Sequence, residues 1–559
     1  VTSKDRIRRS MLWAAYGDAL GFITELCDRS TLSYRTGGKS HVSELIPWKR
    51  KIGGKYGIFW QLPAGCYSDD TQLRLAVCRS IRGDGQFDVE PFAKVELPVF
   101  LAYALGAGTS TKTAAEALKK KTVQWNTNFY ETNYAKYING GGNGAAMRIQ
   151  PHVWSSRPQG SDADLLRGVL RNAVVTHGHP AALVGAAFHA LLLHDTIDAG
   201  KAVPFDLWKD VLARTENIPE VVGSDDDLSL LWLPEWERRA GRSFAEGVRQ
   251  AIKDAKVDME HLITALPKSE SAHNREEAYA AAVKTLNALD EASRGSGIKT
   301  ALLGAYVSVL FSNEPARGMA ACANMIGSDT DTIGTMAGAL LGAVADSDPP
   351  QRVQDQEYLL HEADRMVALR EDASPTTHIY PDLLSWNPPA SSLDMIGIDG
   401  TALSLRGFGK VNLLGQPVEQ KGRSPAVWQG CRTEFGQTLI LKRRKTPKKA
   451  DEGDLPREAS PRKNHERATP SGERAPVSER DTSQQLDFLE HRERANGRPL
   501  TIDEASDAVI KSGFDPVATG HALMSLAVQE NGVEKAIGFA AIVAKAKGYR
   551  MRRDQEKRS

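Results

Sequence analysis

The stretch TIGTMAGALLGAVA, residues 332–345, sets the fold class. Its apolar residues recur at three- and four-residue spacing, the period of a helix face, and its small residues let a second helix approach closely. The same texture fills DADLLRGVLRNAV (162–174), AALVGAAFHALLLH (181–194) and TALLGAYVSVLF (300–311). Runs of alternating β-branched and polar residues are almost absent from residue 5 to about 370. The spacing therefore predicts one large all-α domain, a multi-helix bundle over residues 1–380.

Beyond it the texture changes. PTTHIYPDLLSWNPPASS (375–392) is proline-rich and breaks helices. Short apolar runs between glycine-containing turns follow to about residue 440, which predicts a small β-rich module of four strands over 381–440. Residues 441–482 hold 12 Lys and Arg, 8 Asp and Glu, five prolines and no aromatic residue. Only Leu441, Leu455 and Val477 are available to bury there, too few to offset the entropy of ordering, so this segment reads as a disordered charged linker. From 483 to 559 helical spacing returns, with TIDE at Thr501 as a capping box, and predicts a small helical module.

Composition narrows the function. The chain has 559 residues, 41% hydrophobic and 25% charged, with Lys plus Arg at 71 against Asp plus Glu at 70. That is an ordinary globular balance, and it disfavours a whole-chain nucleic-acid or membrane-surface binder. Five scattered cysteines without a CxxC pair argue against a disulfide framework or zinc site and for a reducing compartment. The opening RIRRSMLWAAYGDALGFITEL (6–26) resembles a signal peptide, but Asp18 and Glu25 interrupt its apolar run. No run of 18 apolar residues occurs. The expectation is a cytoplasmic protein with no membrane span.

Chemistry concentrates in five short stretches. GDALGFITE (17–25) sets Asp18 and Glu25 seven residues apart, on one face of a continuing helix. In YSDDTQLRLAV (67–77), Ser68, Asp69 and Asp70 fall at a helix start. They serve there as caps, or as oxygen ligands for a hard cation such as magnesium or manganese. MIGSDTDTIGTMAGALLGA (325–343) repeats the pattern with Asp329, Asp331 and Thr332. Capping accounts for one carboxylate, not for two oxygen-donor clusters at two helix starts; facing each other, these would hold two cations and orient a hydroxyl-rich substrate. INGGGNGAAMR (138–148) carries Gly140, Gly141, Gly142 and Gly144 around Asn143, a loop suited to close approach by an anion. THGHPAAL (176–183) offers His177 and His179, read as hydrogen-bonding groups for a ribose or phosphate before a metal pair.

Taken in order, these five motifs resemble the ADP-ribosylglycohydrolase family, which includes the dinitrogenase reductase-activating glycohydrolases; the resemblance covers about residues 5–370. It implies an orthogonal all-α bundle with two magnesium or manganese ions in a cleft and removal of ADP-ribose from an acceptor. By that resemblance Ser68, Asp69 and Asp70 bind one ion, Asp329 and Thr332 the other, and Asp331 bridges them. Glu25 gates the cleft or touches the ions, and Asp69 or Asp70 takes a proton from the attacking water. Gly140, Gly141, Gly142, Asn143 and Gly144 follow the diphosphate, and His177 contacts the ADP-ribose. Ser68 replaces the family's usual threonine. Gly141 replaces an aromatic residue that stacks on adenine in some members, so that ring has to come from Phe129, Tyr130, Tyr134 or Tyr137, or be absent.

Two other functions compete. One is a non-catalytic ADP-ribose-binding or scaffold module, which loss of acidic ligands would signal, and none is missing. The other is a two-metal nucleotide phosphoesterase, whose usual histidine ligands these clusters lack. The partner expected is an ADP-ribosylated protein or other ADP-ribose conjugate, with arginine ahead of serine, nucleic-acid ends or a small conjugate as acceptor. The C-terminal helical module is expected to dock a protein partner. Nucleic-acid binding by the linker and basic terminus stands behind a plain tether.

Overall fold

A computed structural model describes residues 2–54, 57–158, 160–266, 272–419, 426–456, 500–529 and 532–556. Residues 1–119 and 125–456 form one compact unit, and 120–124 with 457–559 a second.

The helical part of the first unit is built on two helices that touch backbone to backbone. Helix α1 (Ser3–Thr24) starts at a capping box in which Thr2 and Asp5 satisfy each other's free amides. The helix Thr330–Val344 crosses it along a ladder of glycines. A Cβ added at Gly17 would lie 2.2 Å from the Gly334 carbonyl oxygen, one at Gly338 2.2 Å from that of Trp13, and one at Gly342 2.4 Å from that of Arg9. Gly334, Gly338 and Gly342 are four residues apart, so they share one face, and any side chain there would force the helices apart. The helix Pro180–Ala199 starts on Pro180 with His179 as its cap and ends at Gly200, whose φ of +63° suits glycine. It is long and apolar enough to cross a membrane, but it is buried inside the domain as a core helix.

One feature of this region departs from the all-helical expectation. Strands β1 (Trp48–Ile52) and β2 (Ile58–Leu62) pair antiparallel as a hairpin. Their buried ends, Trp48, Ile52, Ile58 and Leu62, hold it to the bundle. The strands are five residues each, and β1 is charged at its centre (Lys49, Arg50, Lys51), so the pair does not stand out from the sequence.

Six further strands form one sheet in the order β7-β6-β5-β4-β3-β8: β3 (Ile396–Asp399), β4 (Ala402–Leu405), β5 (Gly409–Glu419), β6 (Ala426–Thr433), β7 (Thr438–Arg444) and β8 (Lys448–Lys449). All pairs are antiparallel except β3 with β8. The β-rich expectation holds, but strands run past residue 440 into the segment expected to be linker. Leu441 and Leu455 are buried, and Arg406 pairs with Asp454. Composition misjudged residues 441–456 because pairing of β7 with β6 as far as Arg444, and of β8 with β3, satisfies the backbone whatever the charge of the outward side chains. The rest of the expected linker, 457–482, lies outside the described residues, as do 483–499 of the expected helical module.

This sheet is fastened to the bundle by buried polar contacts. Arg79 makes a two-pronged ion pair with Glu96 and also donates to Gln437 at 2.9 Å. Asp355 accepts from the Tyr67 hydroxyl at 2.7 Å and from the amide and hydroxyl of Thr438, at 2.7 and 2.6 Å. Tyr67 is the neighbour of Ser68, so the sheet bears directly on one of the acidic motifs.

In the second unit, helices Ile502–Lys511, Pro516–Ala527 and Gly532–Glu556 bury Val509, Phe514, Leu526 and Phe539. Thr501 and Glu504 form the expected capping box.

Candidate active site

The glycine ladder decides where the acids go. By seating the Thr330 end of its helix on Gly21, where Thr330 Oγ1 donates to the Gly21 carbonyl at 2.8 Å, it brings Asp329, Asp331 and Thr332 beside Glu25 at the end of α1. Asp18, fully buried in α1, reaches the other acidic motif. It accepts from the Ser68 amide at 2.9 Å, and from the Thr71 amide and hydroxyl at 2.9 and 2.5 Å. Asp18 thus anchors the start of helix Asp69–Ser80 by binding its free amides. It is a positioning residue that the sequence reading marked without giving it this task.

The outcome is one cleft of about 1040 Å³ into which Glu25, Asp69, Asp70, Asp329, Asp331 and Thr332 all open. The two helix starts meet at Asp70, whose Oδ2 accepts long hydrogen bonds, each 3.4 Å, from Ser68 Oγ and Thr332 Oγ1. Its Oδ1 is buried with no partner. Asp331 Oδ1 accepts from the Thr332 amide at 2.9 Å, and Asp329 Oδ2 from Asn143 Nδ2 at 2.8 Å. Asp329 occupies the capping position of its helix without making a capping bond, which leaves its carboxylate to the cleft. Glu25 is held by Arg50 of β1, Nη1 to Oε2 at 2.8 Å.

These acids crowd one another where water is scarce. Burial, then the charge of Glu25, pushes the Asp69 carboxyl up to about 7, against the pull of a hydrogen bond from the Ala107 amide. Burial and then neighbouring carboxylates push Asp70 and Asp331 well above the usual carboxylate range. Asp329 is raised by burial as well, opposed by its hydrogen bonds. Such a set is poorly compensated by the chain's own cations and fits a hard divalent cation that takes oxygen ligands. Among the described residues, no three acid, imidazole or thiol side chains are drawn together closely enough to form a finished ion cage. The orphaned Asp70 Oδ1 and the donor set of carboxylates with hydroxyls nevertheless match such ions in kind.

The opposite bank is the glycine loop. Gly142, Asn143, Gly144 and His177 line the cleft, whereas Gly140 and Gly141 lie behind it. The amides of Gly140, Gly141 and Asn143 donate to carbonyls of Tyr137, Asn139 and Gly295. None of the four glycines has a positive φ. Room explains at least one: a Cβ on Gly144 would meet His177 Cε1 and Thr111 Oγ1 at 3.0 Å. Arg148, closing the same motif, donates to the Gly144 carbonyl at 2.9 Å, to Thr176 Oγ1 at 2.8 Å and to the side chain and carbonyl of Asn172, so it ties the loop to His177. Burial and Arg148 push His177 down to about 3, so it is a neutral hydrogen-bonding group at working pH. His179 does not face it as a second ligand; its Nδ1 accepts from the Ala181 amide as a helix cap.

The four aromatic residues expected to supply a stacking ring do not line the cleft. Tyr130 and Tyr137 are tied to the carbonyls of Thr176 and Val174, Phe129 packs on Tyr137, and Tyr134 is exposed. Trp428 of β6 does line it, together with Ile440 and Ala390–Ser392 from the strand module.

A family model described as ADP-ribosylglycohydrolase matches residues 1–375. The ADP-ribosyl-[dinitrogen reductase] glycohydrolase of Rhodospirillum rubrum is 30% identical over 178 residues, 32% of this chain. The chain spans about half of that relative's length, 52%. The ADP-ribosylhydrolase ARH3 of Danio rerio is 25% identical over 291 residues, 50% of this chain and 69% of that one. A solved structure described as an ADP-ribosylglycohydrolase-related protein complex superimposes with a TM-score of 0.41 at 20% identity, covering 66% of this chain and 99% of its own. The matched residues supply every wall of the cleft except the one lent by the strand module, and the chain belongs to the ADP-ribosylglycohydrolase family.

Proposed function

We propose that this protein is a metal-dependent hydrolase that cleaves the glycosidic bond between ADP-ribose and an acceptor. The observation that carries the reading is the cleft in which two acidic helix starts converge on Asp70 with one carboxylate oxygen unpartnered. Ser68, Asp69 and Asp70 would hold one magnesium or manganese ion and Asp329, Asp331 and Thr332 the other. Bound there, the ions supply positive charge that neutralises the acids and polarises ribose hydroxyls and water.

The chain's own groups do the rest. The bond between the anomeric carbon and the acceptor breaks with oxocarbenium character, its electron pair leaving with the acceptor. Water adds to the anomeric carbon, a carboxylate beside it takes the proton, and that proton passes on to the departing acceptor. Asp69 and Asp70 are the carboxylates placed for that task. Asn143 fixes Asp329, and His177, neutral and tied to Thr176, offers a hydrogen bond to a ribose or phosphate oxygen. Gly142 and Gly144 leave space for the diphosphate to pass. Glu25, braced by Arg50, stands at the side of the cleft where it can gate entry.

Arginine is the first acceptor to test, then serine and DNA ends. All five cysteines are free and buried, in keeping with a cytoplasmic setting. Release of ADP-ribose would be followed with magnesium, with manganese and with chelator, beside the double variant Asp329→Ala, Asp331→Ala. The reading requires metal-dependent release that the variant loses. Binding of ADP-ribose without release from any conjugate would make the chain a binding module instead.

A further inference from the structure

The strand module contributes a wall to the cleft although it lies beyond the family match, and that wall contains an unsatisfied donor. Trp428 is 8% exposed, lines the cleft, and has an indole N–H with no hydrogen-bond partner. A buried donor without a partner costs roughly 1–3 kcal/mol, a penalty that an acceptor brought to it would remove. The ring is held in place from below. A Cβ on Gly53, at the end of β1, would lie 2.3 Å from Trp428 Cζ2, so only glycine admits the indole there.

We propose that Trp428 is a substrate-contacting specificity residue that binds the polypeptide portion of an ADP-ribosylated protein. This rests on the hydrolase reading above. ADP-ribose is common to the family's substrates, and the groups assigned to it lie within residues 1–375. A wall added outside that range falls to the part of the substrate that varies, the acceptor. Distance agrees. Gly53 follows Arg50, the partner of Glu25, by three residues, at most about 10 Å along the chain. A peptide whose modified residue sits at the acids reaches Trp428 two or three residues along its chain. The wall's chemistry also suits a peptide. Trp428, Ile440, Ala390, Ser391 and Ser392 carry no charge, so they offer an apolar surface, hydroxyls and one N–H for a backbone carbonyl, while the lysines that line the cleft, Lys51, Lys112 and Lys119, come from the matched part of the chain.

The test uses the full chain and five substrates: ADP-ribosylated DNA ends, and ADP-ribosylated arginine and serine, each as the free amino acid and in the middle of a seven-residue peptide. On the cleaved linkage, the wild type should prefer the peptide through a lower KM. Trp428→Ala should reduce that preference about tenfold, and Trp428→Phe, which keeps the ring and loses the N–H, about threefold, with inhibition by free ADP-ribose unaltered. Thermal melting confirms that both variants are folded, and the phenylalanine variant carries the test if the alanine variant is not. A wild type without peptide preference, or variants that weaken peptide and free amino acid alike, overturns the assignment of Trp428. So does a loss confined to nucleic-acid conjugates. A wild type that releases ADP-ribose from no conjugate, DNA ends included, overturns the hydrolase reading itself, and this inference with it.

Discussion

At Gly106 the chain passes so close to Asp69 that a Cβ would sit 1.9 Å from its Oδ1. The next residue, Ala107, holds a φ of +82°, strained for a side-chain-bearing residue, and gives its amide to the same carboxylate. Gly106→Ala should therefore swing Asp69 out of place while the fold survives, since the atom displaced is the tip of a side chain. A misplacement of about 1 Å costs on the order of a hundredfold in kcat. The expected result is that loss with less than about 1 kcal/mol lost in stability, read by steady-state kinetics beside denaturant unfolding. His189 makes a different prediction, about pH. It is fully buried, and burial with Arg74 pushes it down to about 3. Between there and pH 6.5 the unfolded imidazole takes up a proton that the folded one refuses, so stability is lost as pH falls through that window, by up to about 1.4 kcal/mol per unit. His189→Gln lacks this term. The stability advantage of wild type over variant should therefore shrink by about 1 kcal/mol between pH 6.5 and 5.5, and a constant advantage would refute the assignment.

At the scale of elements, the contact of α1 with the helix Thr330–Val344 holds the acids in place. Gly338→Ala puts a methyl 2.2 Å from the Trp13 carbonyl oxygen, and neither backbone can yield alone. Overpacking of this kind costs about 1–3 kcal/mol or more. The melting temperature should fall by several degrees, and ADP-ribose release should fall with it because Asp331 moves away from Asp70. Much of this is legible in the sequence. The small-residue helices announce themselves, and Ser68 to Asp70 and Asp329 to Thr332 stand out as more oxygen donors than two helix caps require. The hairpin Trp48–Leu62 does not, because β1 is charged at its centre and the apolar run of β2 is only five residues long. Asn143 was marked for the substrate, but its bond to Asp329 depends on a fold that joins residues 186 positions apart. Trp428 was out of reach for the same reason: its meeting with Gly53 follows from how a sheet near residue 430 lies on a hairpin near residue 50.

For the whole molecule, the end of the family match at residue 375 does not mark the end of the folded unit that carries the cleft. Arg79 and Glu96 are both completely buried, and the Gln437 side chain and the Phe408 and Phe435 rings close over the guanidinium. Asp355 likewise faces the amide and hydroxyl of Thr438. A chain stopped at residue 380 would bare this ion pair, leave Asp355 with one partner of three, and uncover the apolar surface now beneath Trp386, Phe408 and Leu439. Breaking buried polar partnerships costs about 1–3 kcal/mol each, and burying a large apolar side chain is worth about 1.5–3 kcal/mol. Their sum is comparable with the 5–15 kcal/mol by which a domain is usually stable. Expressed to residue 380, the protein should be insoluble or lack a cooperative melt. Expressed to residue 456, it should melt cooperatively and keep the proposed release of ADP-ribose, since every residue lining the cleft lies before that point. A fragment ending at 380 that melts like the longer one would show the strand module to be an appendage, and the acids would then need no support from it.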